Sequence, residues 1–158
     1  MGMLDMIRGW VAGGGRHDAS GHKVTDNVGG AYSADEIAGL DFKKAIDAHM
    51  QWKERLRAVI DGNSSETLDV GTVACDDRCM LGKWIHGPGG AGHGHLPQFG
   101  QLREHHAEFH ICAAGVLTEA QAGRAQEALR QMTGSYAKAS EQVKHDLIRL
   151  YLELSRSR

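Results

Sequence analysis

The arrangement that most narrows the fold is a stripe of side chains at alternating spacings of three and four: Phe42, Ala45, His49, Trp52, Leu56 and Val59. An α-helix makes a turn in about 3.6 residues, so this spacing lines one face, and a largely apolar face has to be buried against other elements. Ser33 followed by Glu36 reads as a capping box that opens the helix, and Asp61-Gly62-Asn63 ends it. A second stripe follows Pro97, which suits a first helical turn: Phe99, Leu102, His106, Phe109, His110, Ala113, Val116 and Leu117. A third runs through Ala125, Leu129, Met132, Tyr136, Ala139, Val143, Leu147 and Leu150 in a helix predicted from Gly123 to Ser155, with Gly134 weakening its middle. Between the first two lies a shorter segment, Thr72 to His86, with Cys75, Cys79, Leu81 and Trp84. The run from Gly87 to His95 reads as a loop. No alternating strand pattern of useful length, no long internal repeat and no Rossmann or P-loop glycine signature is present. The fold class predicted is all-α: an antiparallel four-helix bundle with a short extra helix that carries Cys79.

Residues 1 to 32 differ from the rest. They hold eight glycines and one short apolar piece (Leu4, Met6, Ile7, Trp10, Val11), which reads as a linker ahead of a bundle spanning 33 to 158. The formal net charge of -2, without a basic block, argues against a nucleic-acid partner. No apolar run reaches the ~20 residues of a membrane span. Asp5 and Arg8 interrupt the N-terminal apolar stretch, and no convincing cleavage site follows it, so no secretory signal is read. Three cysteines, an odd number, fit reduced thiols in the cytoplasm better than a disulfide framework.

Three of the 10 histidines take core positions on the stripes. His49 sits between Ala45 and Trp52, and His106 and His110 are one turn apart on the same face. Each buried polar group without a partner costs about 1–3 kcal/mol. Three in one core require a shared partner, and a metal ion supplies it. Cys79 is the fourth candidate, because Leu81 and Trp84 would anchor its segment and Gly82 would permit close backbone approach. Three imidazoles and a thiolate suit one tetrahedral Zn2+ and suit calcium, magnesium or a carboxylate-bridged di-iron site poorly. Asp76, Asp77 and Glu108 are the nearby carboxylates that could accept the second N–H of these histidines. His17, His22, His86, His93, His95, His105 and His145 read as solvated side chains, with His93 and His95 the only pair offering a weaker second metal site.

The three motifs together resemble the chemoreceptor zinc-binding family. They are His49-Met50-Gln51-Trp52-Lys53, Cys79-Met80-Leu81-Gly82-Lys83-Trp84 and His106-Ala107-Glu108-Phe109-His110, separated by intervals of 30 and 27 residues. Asp76-Asp77-Arg78 and His86-Gly87-Pro88-Gly89 add to the likeness, which spans about residues 38 to 150. The resemblance implies a four-helix bundle, a zinc site made of His49, Cys79, His106 and His110, and a symmetric homodimer. It also implies a regulatory role beside chemoreceptor signalling domains or diguanylate cyclases, with the zinc-bound cysteine as a target of hypochlorous acid in some members. The length here leaves no room for such an output domain, so a separate signalling protein of the chemotaxis or cyclic-di-GMP type is expected to receive the signal.

The function expected is therefore a zinc sensor or regulator, not an enzyme. Zinc buffering is the alternative that uses the same site. A zinc hydrolase would keep an open coordination position and a nearby base, and no H-E-x-x-H motif occurs. A hemerythrin-like carrier would need bridging carboxylates that the stripes do not offer. Cys79 is the natural movable ligand, and its oxidation would weaken it as a donor. Cys75, four residues earlier and expected on the same helical face, reads first as a small structural cysteine and second as a resolving thiol; Cys112 reads as structural.

Overall fold

The computed structural model describes residues 36–157, so the N-terminal linker, its apolar piece, Ser33, His17 and His22 lie outside the described residues. The chain starts with a minimal hairpin, β1 (Glu36–Ile37) and β2 (Leu40–Asp41), paired antiparallel with Ile37 opposite Leu40. Its turn residues, Ala38 and Gly39, both have positive φ, as the tightest hairpin turns require. Glu36 therefore belongs to a strand and does not cap a helix. The first helix, α1 (Phe42–Ile60), begins six residues later, with Asp41 as N-cap accepting the Lys44 N–H. Tertiary contact outweighs the local capping signal here: Ile37 and Leu40 are buried, and the Trp84 indole N–H donates to the Ala38 carbonyl at 2.9 Å.

The segment after α1 is also more broken than its sequence predicts. It forms α2 (Val70–Ala74) and α3 (Met80–Ile85), separated by a turn at 75–79, so Cys75 and Cys79 do not share a helical face. The glycine-rich run expected as a loop contains a helix, α4 (Pro88–His93). Pro88 supplies the fixed φ of a first turn. Gly89 packs so closely on Trp84 that a Cβ would overlap the indole ring, so its lack of a side chain serves packing.

The frame is made by α1, by α5 (Pro97–Gln121) and by α6 (Ala125–Gln131), which runs through a π-helical turn at Met132–Tyr136 into α7 (Ala137–Arg156). Helix α5 is central and packs against α1, α2, α6 and α7. All eight residues of its predicted stripe are buried. The last stripe is right from Met132 onward, but it starts at Ala128, since Ala125 is exposed. The interruption anticipated near Gly134 is the π-turn, whose wider winding matches the steps of four from Ala128 to Met132 to Tyr136. Phe42 joins the layers, lying edge-on to Trp84 at 6.1 Å and to Tyr151 at 5.5 Å. The described residues are all-α apart from the hairpin. Among them no helix is long and apolar enough to cross a membrane.

Candidate metal centre

The four predicted ligands arrive on three helical segments. His49 is carried by the core face of α1 and is 4% exposed. His106 and His110 are carried one turn apart by the core face of α5 and are 0% and 2% exposed. Cys79 is half-buried at the N-cap of α3, where its sulfur accepts the Gly82 N–H at 3.2 Å. One ligand atom from each of the four lies within 4.8 Å of every other. A zinc tetrahedron with bonds of about 2.0–2.3 Å has donor–donor edges of about 3.3–3.6 Å, so small side-chain movements close this set around one ion.

The short helix α3 reaches the core through three contacts. Leu81 and Trp84 are buried. Gly82 lies against the preceding turn, where any Cβ would run into the Asp76 carbonyl. Space for that carbonyl is what glycine supplies at position 82.

Two imidazoles are aimed by backbone carbonyls. His49 Nδ1–H donates to the Ala45 carbonyl at 2.7 Å, and His110 Nδ1–H donates to the Val73 carbonyl on α2 at 2.7 Å. This fixes the tautomer and leaves the Nε2 lone pair of each ring facing away from its carbonyl. His49 Nε2 and His110 Nε2 are buried with no hydrogen-bond partner among the described residues. His106 Nε2 stands 3.2 Å from Cys79 Sγ, and its Nδ1 is likewise buried and unpartnered. Orphaned buried acceptors carry a free-energy cost of about 1–3 kcal/mol each unless something binds them. A cation at their centre would satisfy His49 Nε2 and His110 Nε2 together with the thiol.

Burial also sets the charge state. Desolvation lowers the His49 pKa to about 4, with the neighbouring His110 adding to the effect. Desolvation lowers His106 further, aided by His49 and His110, and lowers His110 against the opposing pull of Val73. All three rings are therefore neutral at pH 7, the form that binds metal. Burial raises the Cys79 thiol, while the Gly82 and Leu81 N–H groups pull against it. Phe109 packs on His49 at 4.9 Å between ring centroids and on His110 at 5.5 Å, walling the site on its core side.

The carboxylates expected as orienting partners do not take that role. Asp76 bonds His86 Nε2 at 2.8 Å, and the helix and α2 carbonyls orient His49 and His110. Ala45 is legible in sequence, four residues before His49; Val73 carries no signal, because it reaches His110 only through the fold. Two histidines read as solvated are engaged: His86 with Asp76, and His105, which bonds the buried carboxylate of Asp146 and ties α5 to α7. His93 stacks on Trp84 at 6.4 Å while His95 is exposed, and among the described residues the four-residue cluster is the one convergent group of three or more metal-ligating side chains. Beside the site opens a cleft of about 500 Å³, lined by Trp52, Arg55, Cys75 and Arg78 and reaching Cys79 and His110.

Three buried neutral imidazoles and one half-buried thiol, held by helices, define a helical protein with a nitrogen- and sulfur-lined candidate metal centre. Residues 49–117 match the family model of the chemoreceptor zinc-binding domain, so this span is similar to that family. The match begins at His49 and contains all four converging residues. No curated protein and no solved structure matches the chain.

Proposed function

We propose that this protein is a zinc-responsive regulatory module. One Zn2+ per chain is held by His49, Cys79, His106 and His110, and its presence, or the oxidation state of the thiol, is relayed to a separate signalling protein of the chemoreceptor or diguanylate cyclase type. The convergence of the four donors carries this reading. The zinc-binding family match over the same residues supports it. The three long helical elements and the short-helix layer α2–α4 make up an antiparallel bundle that works in the cytoplasm as a homodimer. Four protein donors fill a tetrahedral shell and leave no position for an activated water, so the module regulates and does not catalyse.

Relay follows from the ligand layout. Zinc joins α3 to α1 and α5, so losing it frees the segment that Cys79 opens. A coupling of about 1–3 kcal/mol between zinc occupancy and a partner surface suffices for regulation. The test is metal analysis of the purified full chain beside Cys79→Ala and His106→Ala, followed by capture of partners with zinc-loaded and chelated protein. One zinc per chain, lost in both variants, and a partner whose retention depends on zinc are the expected results. Full zinc content in either variant would overturn the site. Partner capture indifferent to zinc would reduce the role to buffering.

A further inference from the structure

The proposed zinc shell leaves Cys75 unused, yet Cys75 lines the same cleft as Cys79. Cys75 closes α2 as its C-cap, and Cys79 opens α3 as its N-cap. Both are free, both are half-buried, and both line the cleft of about 500 Å³ that reaches His110. The turn between them folds back onto α3. The Asp76 carbonyl fills the space of a Cβ on Gly82, and the Gly82 N–H donates to Cys79 Sγ. The backbone adjoining Cys75 and the sulfur of Cys79 thus meet at one residue. Cys112, on α5, is not among the residues lining this cleft.

We propose that Cys75 is the resolving thiol of Cys79, so that a hydroperoxide reaching the cleft converts the pair into a Cys75–Cys79 disulfide and expels the zinc. This rests on Cys79 being a zinc ligand. The Cys79 sulfur takes the terminal oxygen of the hydroperoxide as its O–O bond breaks, giving a sulfenic acid and, after protonation, an alcohol or water. The Cys75 sulfur then attacks the Cys79 sulfur. The S–S bond forms, the S–O bond breaks, and oxygen leaves as water with the Cys75 proton. Two thiols have lost two electrons and the hydroperoxide has gained them. With its sulfur bonded to sulfur, Cys79 has no thiolate left for the metal. The disulfide also stops the sulfur short of sulfinic acid, which thiol reductants do not reverse.

The test uses zinc-loaded full-length protein with Cys75→Ser, Cys75→Ala and Cys112→Ser beside the parent chain. Hydrogen peroxide is added in steps, zinc release is followed with a chromogenic chelator, peptides are mapped by mass spectrometry, and zinc capacity is measured again after dithiothreitol. The parent and Cys112→Ser should lose two hydrogens in a Cys75–Cys79 link, release zinc, and regain most of their capacity on reduction. Both Cys75 variants should release zinc, gain two oxygens on Cys79, and lose most of their capacity permanently. A link from Cys79 to Cys112 or to a second chain, or recovery of the Cys75 variants as complete as that of the parent, would overturn the proposal. Cys79→Ser with undiminished zinc before any oxidant would instead overturn the zinc-ligand reading on which it rests.

Discussion

Helices α1 and α5 and the short-helix layer α2–α4 both contribute to the candidate metal centre, but they hold their candidate ligands by different means. His49, His106 and His110 sit in regular helices of 19 and 25 residues, on a face that is buried throughout in α5 and, in α1, buried except at the half-buried Trp52 and Val59. Helical periodicity places those three rings, and carbonyls within 2.7 Å aim two of them. Cys79 sits at the start of a six-residue helix that is too short to be stable alone. Its position depends on tertiary clamps: Trp84 under the hairpin, Gly82 under the Asp76 carbonyl, and Leu81 in the core. The comparison teaches that the imidazoles form a fixed platform while the thiol is the ligand whose position the surrounding fold can change.

The largest expected break in that contrast comes from Trp84→Ala. It removes a buried indole that touches Phe42, Phe99 and the hairpin, and should cost about 3–5 kcal/mol in chemical denaturation of the metal-free protein. Zinc affinity should fall with it, since α3 loses its main anchor.

Acid attacks the platform instead. The folded pKa of His49, about 4, lies below its ordinary value of 6.5, so the fold favours the neutral ring. The stability this gives is present in full above pH 6.5 and is lost progressively as pH falls towards 4, with His106 and His110 acting in the same direction. His49 alone contributes about 3 kcal/mol to that loss. Denaturation midpoints of metal-free protein across this window measure it, and a flat profile would show that the rings are hydrated.

Gly82→Ala should cost about 1–3 kcal/mol, because the turn at Asp76 has to move away from the new Cβ. It should weaken zinc binding more than an alanine at the open Gly134 does, which isothermal titration would compare directly. The smallest effect is expected from Asp69→Ala. It removes the N-cap of α2, the helix whose Val73 carbonyl aims His110, and should lower the thermal unfolding midpoint less than any of the changes above.

The same division explains what was legible in the sequence. The faces of α1 and α5 are periodic, so most of their buried residues, the three histidines included, can be read from spacing, although Ile46 and Ala114 are buried outside the stripes. The stripe at Phe99–Leu117 is buried throughout. The start of α1 is not legible locally, because the hairpin that stands in place of the capping box depends on burying Ile37 and Leu40 and on a bond from Trp84, 46 residues from Ala38. Helix α4 is hidden in the sequence because glycines that pack against an aromatic ring and glycines that free a loop look identical there. The engagement of His105 is hidden in the sequence for a related reason: its partner Asp146 lies 41 residues away, and no local pattern links them. Cys79 was found through its motif, whereas the carbonyl of Val73 could be found only in the fold.

X-ray absorption at the zinc edge of the purified protein tests the central claim most directly. The account predicts one zinc per chain with one sulfur neighbour at about 2.3 Å and three nitrogens at about 2.0 Å, the sulfur contribution disappearing in Cys79→Ser. A first shell without sulfur, or one unchanged by that substitution, would contradict it.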